Sequence, residues 1–253
     1  MKKISKKIIF YILGLAVLII GYLFLAHFLI YFRIGHSGLV SSDSQYVYMI
    51  GNSATTSNSL VYGALGDSLT SGVGVEKYEE SYPYLVALKL SQQKNTQVDL
   101  KTFSYPGART SDLIKNLLDP AITAKPEVIT LLIGINDIHG NVGLETFRKN
   151  YEYILERLTK ETQAKIYLIG LPSLGADGLL LPPYNYYFEQ QTQSYNKIIK
   201  SLAEKYSLSF IDLNKATLAE SKKNNGYYSK DLFHPSADGY RLWAQIIYDN
   251  FNK

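Results

Sequence analysis

Leu60-Val61-Tyr62-Gly63-Ala64-Leu65-Gly66-Asp67-Ser68-Leu69 holds a short apolar run that stops at a glycine and gives way at once to an acid and a hydroxyl. Six apolar or small residues suit a strand buried on both faces, and the following punctuation suits a turn. Downstream, Val98–Phe103, Val128–Ile133, Ile166–Ile169 and Leu208–Ile211 repeat the apolar run. Stretches with helical periodicity separate them, at about Tyr82–Gln93, Ser111–Leu118, Leu144–Thr162, Phe188–Tyr206 and Asp238–Phe251. Strands alternating with helices at this spacing predict successive β-α units and a mostly parallel sheet covered on both faces. In such folds chemistry gathers outside the carboxyl ends of the strands. The polar residues to inspect are therefore Asp67 and Ser68, Gly107, Gly134 with Asn136 and Asp137, and the stretch Asp231 to Pro235.

Upstream of Leu60 the chain has a different character. Ile8 to Phe32 is apolar and aromatic with no formal charge, broken only by Gly14, Gly21 and His27. That length covers the roughly 30 Å of bilayer hydrocarbon. A secretory signal has a shorter apolar core, about 7 to 15 residues, ending in small residues; Phe32-Arg33-Ile34-Gly35-His36 is a poor cleavage site. An uncleaved anchor is the expectation, ahead of a removed signal or a buried core helix. Lys2, Lys3, Lys6 and Lys7 flank one side and Arg33 alone the other, which keeps the N-terminus cytoplasmic and sends the rest of the chain across. The expected layout is a basic cytoplasmic tail at 1–7, a membrane anchor at 8–32, a juxtamembrane linker at 33–59 and the main folded domain at 60–253. Within the linker, Tyr46–Ile50 is strand-like.

Of the 26 Lys and Arg residues, five lie within 1–33, which hold no acid, so the rest of the chain has 21 bases against 22 acids and a formal charge of −1. A basic nucleic-acid footprint is absent. The chain has no cysteine, which excludes a disulfide framework, thiol chemistry and cysteine metal sites. The four histidines are scattered, and neither a His-Glu-x-x-His pattern nor a glycine-rich phosphate loop occurs, so no metal and no cofactor is expected.

Among the histidines, His27 and His36 fall in or beside the apolar segment, and His139 is placed to rim a cleft. His234 stands in Asp231-Leu232-Phe233-His234-Pro235. An imidazole can take a serine proton and return it to a leaving group, and a carboxylate three residues earlier can orient the ring. Taken alone, Asp-x-x-His also suits a surface helix start, and Gly66-Asp67-Ser68 suits an ordinary turn or helix cap. The Gly-x-Ser-x-Gly elbow of α/β-hydrolases is absent around Ser68.

In order, Gly66-Asp67-Ser68-Leu69, Gly107, Gly134-Ile135-Asn136-Asp137 and Asp231-Leu232-Phe233-His234-Pro235 resemble the four blocks of the SGNH, or GDSL-type, lipase and esterase superfamily, over roughly residues 60–251. The resemblance implies Ser68 as nucleophile, His234 as base and Asp231 as its orienting acid. It also implies an oxyanion hole from the N–H groups of Ser68 and Gly107 and the Asn136 amide. Gly66, Asp67, Gly134 and Asp137 become supporting residues. The second block, Ser104–Ser111, is its least distinctive part, and Pro106-Gly107 also reads as a type II turn. With the strand-helix alternation, the resemblance implies an α/β protein of three α/β/α layers around a mostly parallel, flavodoxin-like sheet.

The implied reaction is hydrolysis of a carboxylic ester through an acyl-serine, with lipid or other acyl esters of the cell envelope as substrate. A carbohydrate or peptidoglycan O-acetylesterase and a catalytically idle anchored scaffold are the competing readings. Leu179, Leu180 and Leu181, followed by Tyr184, Tyr186 and Tyr187, lie beyond the fourth strand. They suit an acyl-binding surface and equally suit packing of a long crossing.

Overall fold

The structure, a computed structural model, describes residues 5–35, 47–51, 59–176, 178–223 and 226–251. His36 and most of the stretch read as a linker lie outside the described residues. In chain order the elements are helix α1 (Lys6–Gly35), strands β1 (Val47–Ile50) and β2 (Leu60–Gly66), α2 (Tyr82–Lys94), β3 (Val98–Ser104), α3 (Thr110–Asp112), α4 (Leu118–Thr123), β4 (Val128–Leu132), α5 (Ile135–His139), α6 (Leu144–Glu161), β5 (Lys165–Ile169), α7 (Tyr184–Lys205), β6 (Ser209–Ile211), α8 (Leu213–Lys223) and α9 (Ala237–Asn250).

The strands form one sheet in the order β1-β3-β2-β4-β5-β6, parallel throughout except for β1, which runs antiparallel to β3 at the edge. The strand-like run read inside the linker is this β1. Helices α2, α8 and α9 pack together, and α3, α4, α6 and α7 form the opposing layer. The result is a three-layer α/β/α fold around a mostly parallel sheet. Strands β2 and β4 are central, and Tyr62 to Gly66 and the whole of β4 are buried, as a strand covered on both faces requires. Helix α6 buries Phe147, Tyr151, Ile154, Leu155 and Leu158, one stripe at the helical period.

The expected helix at Ser111–Leu118 is longer. A π-turn at Leu113–Leu117 joins α3 to α4, and the slipped register puts Pro120 in the first turn of the renewed helix, where a missing N–H is tolerated. Two helices had no expectation: α5 is too short for a periodic signal, and α8 has a weak one. Helix α7 starts at Tyr184, four residues before the first residue expected, directly after Pro183.

Sheet register places the site. Gly66, the last residue of β2, pairs with Ser104 at the end of β3 and with Leu132 at the end of β4. The three chains leave the sheet in one row, at the point where connections from β2 go to one side and those to β4 go to the other. That is the topological switch point of an open parallel sheet. Helix α1 lies along this edge. Its N-terminal half is exposed, whereas Ala26 and Ile30 are buried. Tyr22 Oη donates to Pro182 O at 2.8 Å and Tyr184 Oη to Leu23 O at 3.4 Å.

Candidate active site

Ser68 is reached by a turn that only glycine admits at position 66. A Cβ there would meet Leu132 O at 2.4 Å and Thr70 Oγ1 at 2.2 Å. Beyond it, Asp67 O accepts from Thr70 N at 3.1 Å and Ser71 N at 2.9 Å, and Ser68 O accepts from Val73 N at 3.0 Å, so the turn is closed by its own backbone. The Asp67 side chain points inward. Its Oδ1 accepts from Leu69 N at 3.0 Å and its Oδ2 faces Asn136 Nδ2 at 3.5 Å. Burial raises the Asp67 carboxyl to about 7.

His234 comes from the loop before α9. Ser229 N donates to His234 O at 2.8 Å and Ser236 N to Tyr227 O at 2.9 Å, and Ser236 caps α9 through Gly239 N at 3.2 Å. Within the loop Leu232 has φ +60, a left-handed conformation that a branched residue holds only when its surroundings enforce it. The bend wraps the chain around the Asp231 carboxylate. Oδ1 accepts from Phe233 N and His234 N, both at 2.9 Å, and from Ser229 Oγ at 2.7 Å. Oδ2 is left for His234 Nδ1 at 2.5 Å. On the other side of the ring, His234 Nε2 lies 3.0 Å from Ser68 Oγ. Ser68, Asp231 and His234 are all buried. Burial alone would push the Asp231 carboxyl up; the hydrogen bond and charge of His234, with the Phe233 N–H and Ser229 hydroxyl, hold it below its ordinary range.

Gly107 and Asn136 line the same cavity of about 320 Å³ as Ser68, Asp231 and His234. Gly107 has φ +82, and Ala108 N donates to Tyr105 O at 3.2 Å, so Pro106 and Gly107 form the centre of a type II turn. Gly134 precedes α5 and Asn136 is in that helix's first turn. Asn136 Nδ2 donates to Ala108 O at 3.1 Å, tying the two loops together. Asp137 turns away from the cavity and accepts from Thr110 N at 2.9 Å and Thr110 Oγ1 at 2.5 Å. Burial raises its carboxyl, against the lowering effect of those two bonds. His139 rims the cavity as expected, its ring 5.3 Å from Phe188 and 5.4 Å from Phe233. Sequence reasoning missed Thr110 and Ser229, and the place of Tyr31 and Ile34 of α1 in the wall of this cavity. Ser229 stands two residues before Asp231, a spacing that a loop reading offers, whereas the α1 contacts have no local signal.

The segment Leu179–Tyr187 divides. Leu179 is fully buried in packing, while Leu180 and Tyr186 border a separate cavity with Ser173 and Asn214. Leu181 borders none of the cavities described, and its carbonyl starts the turn into α7 by accepting from Tyr184 N at 2.9 Å. Tyr184 and Tyr187, three apart and so on one face of α7, line a cavity that Gly107 and Asn136 also border. The six residues are not one surface, because helical geometry turns Tyr186 away from its two neighbours.

Residues 64–242 match the GDSL-like Lipase/Acylhydrolase family. The chain belongs to that family. It is a serine hydrolase of the esterase and lipase type. A spore germination lipase, LipC, of Bacillus licheniformis is 28% identical over 214 residues, 74% of this chain and 94% of that one. Among solved structures, a lipase/acylhydrolase from Enterococcus faecalis superposes with a TM-score of 0.64 at 23% identity, covering 76% of this chain and 95% of that one. An acetylxylan esterase, Axe2, from Geobacillus stearothermophilus superposes with a TM-score of 0.61 at 18% identity, over 77% and 94% of the two chains. At these identities the solved structures speak for the fold alone.

Proposed function

We propose that this member of the GDSL-like family is a membrane-anchored acyl-ester hydrolase working on the outer side of a membrane through an acyl-serine intermediate. The observation that carries the chemistry is the relay Asp231 Oδ2, His234 Nδ1, His234 Nε2, Ser68 Oγ, with steps of 2.5 and 3.0 Å, opening on a cavity that Gly107 and Asn136 share. His234 takes the hydroxyl proton as Ser68 Oγ bonds to the ester carbonyl carbon. The negative charge gathers on the carbonyl oxygen, where the N–H groups of Ser68 and Gly107 and the neutral Asn136 amide are the donors. The C–O bond then breaks, the alkoxide leaves with the proton held by His234, and Ser68 carries the acyl group. Water enters, gives its proton to His234 and releases the acid, and Ser68 regains its proton. Gly66 and Gly134 set the turns, while Asp67 and Asp137 hold the loops.

The site chemistry needs no metal, and among the described residues no cluster of metal-ligating side chains occurs. An idle scaffold would have no use for a buried carboxylate aligned on an imidazole beside a serine. The anchor rests on α1, which is long and apolar enough to cross a membrane, and its orientation on the lysine bias at its start. The likeness to the Bacillus licheniformis spore germination lipase favours an acyl lipid over an acetylated polymer. The decisive measurement is labelling of the full-length protein by a fluorophosphonate, with mass spectrometry of the adduct. A phosphonyl group on Ser68, absent from Ser68→Ala, is expected. An unlabelled wild type that is folded by circular dichroism would sink the esterase reading.

A further inference from the structure

Helix α1 does more than its length requires. Its 30 residues span about 45 Å at the helical rise, against roughly 30 Å of hydrocarbon. The surplus is about ten residues by the same rise, and the C-terminal end of α1, from Tyr22 to Ile34, contacts the catalytic domain. Leu23, Ala26, Leu29, Ile30 and Ile34, the residues withdrawn from solvent there, recur at three- and four-residue steps, so one face of the helix is seated and the other is left free.

Between that face and the start of α7 lies a cavity of about 800 Å³, within the roughly 300–1,000 Å³ of small-molecule sites. Ile30, Tyr31 and Ile34 form one side, and Tyr184, Tyr187 and Phe188 the other. Tyr31, Ile34, Gly107, Asn136 and His139 border both this cavity and the smaller one that holds Ser68 and His234, so the two adjoin there. An ester whose carbonyl carbon meets Ser68 Oγ, with its oxygen towards Asn136, has beside it a mostly apolar cavity walled on one side by the anchoring helix itself, with Arg109 and Asn141 also in its lining. The apolar half of a membrane-borne ester is its acyl chain, and the alcohol half is the polar headgroup that stays in water.

Resting on the anchored-esterase reading above, we propose that the last turns of α1 are a wall of the acyl-binding site, so that the enzyme draws a long-chain acyl ester from the leaflet into which α1 descends. Ile30, Tyr31 and Ile34 are then specificity-determining residues lying outside the span that matches the family.

The test uses the full-length protein in phosphatidylcholine vesicles and an alkyl fluorophosphonate carrying a diazirine near the tip of a long chain. After irradiation and digestion, Ser68 is expected to hold the phosphonyl group and the cross-link to fall on the α1 peptide containing Ile30 to Ile34. Ile34→Trp, which narrows the junction of the cavities while keeping α1 apolar, is expected to lower the ratio of p-nitrophenyl palmitate to acetate turnover about tenfold, the scale on which pockets discriminate small changes in apolar fit. Leu25→Trp, at an exposed position nine residues before Ile34 and therefore on the opposite face, should leave that ratio unchanged. A labelled Ser68 with cross-links confined to the catalytic domain or to vesicle lipid overturns the role of α1 and leaves the esterase reading standing, as does a ratio that Ile34→Trp fails to move. Faster turnover of every ester in Ile34→Trp would make α1 a cover rather than a wall, and also overturns it. No phosphonyl group on Ser68 removes the esterase reading itself.

Discussion

Ser68 has no stand-in. The other hydroxyls on the same turn are buried and engaged: Thr70 Oγ1 shares a hydrogen bond with Tyr82 Oη at 2.9 Å, and Ser71 Oγ is bonded to Asp67 O at 3.1 Å and to Ser104 Oγ at 3.0 Å. Ser68→Ala and His234→Ala should therefore each abolish ester turnover in folded protein, read as p-nitrophenyl ester rates beside circular dichroism. Asn136→Ala should keep fluorophosphonate labelling and lose about 10²- to 10³-fold in turnover, the effect of deleting one oxyanion donor; near-normal turnover would remove it from the oxyanion hole. Asp67 gives a pH prediction. Its carboxyl rises from an ordinary 3.8 to about 7 on burial, so the folded state binds the proton more tightly than the unfolded chain does. Its contribution to stability is full below about pH 4, falls as pH climbs towards 7, and stays flat above. Melting curves of wild type and Asp67→Asn across that range should show the variant gaining on the wild type as pH rises. A constant difference would contradict the assignment of the raised carboxyl.

Between elements, a second contact that joins the Gly107 loop to α5, beside Asn136 on Ala108, is Thr110 on Asp137, with Asn150 Nδ2 donating to Thr110 Oγ1 at 3.0 Å from α6. Thr110→Val keeps the shape of the side chain but leaves a buried acceptor without its hydroxyl donor. A cost of about 1–3 kcal/mol follows for such a loss, visible in denaturant unfolding. Because Asn136 neighbours Asp137, turnover should fall as well, with kcat falling more than KM rises. A stability loss with unchanged kcat would show that the clamp holds the fold without aligning the oxyanion donors.

Across the molecule, the lysines at the start, the apolar α1 and the nearly neutral remainder predict one crossing with the catalytic domain outside. Protease added to intact, wall-stripped cells should digest the catalytic domain, and a tag placed before Lys2 should survive until the membrane is opened. Full protection of the catalytic domain with an intact membrane would reverse the orientation. Ser68 lies by the C-terminal end of α1, since Tyr31 and Ile34 border its cavity.

Periodicity and punctuation are local properties, and what depended on them was legible from the residues. The apolar runs at Leu60, Val98 and Val128 mark three strands, the Gly66 turn marks where the chain leaves the first, and the spacing of Asp231 and His234 allows one residue to orient the other. The resemblance of the four blocks added which side chains belong together. Helix α5 escaped because five residues carry no period, and the start of α7 was misjudged because Pro183 breaks the chain earlier than the apolar stripe begins. Tertiary structure alone decided the rest. Leu179, Leu180, Tyr184 and Tyr186 are bulky and largely apolar as a run, yet they face three different environments, because the turn before α7 separates the two leucines and the helix rotates Tyr186 about 200° from Tyr184. Tyr31 and Thr110 entered the site from elements whose own sequence serves another purpose. Which face of α1 meets the sheet edge depends on shape complementarity between segments about 150 residues apart, and no window of sequence contains both partners.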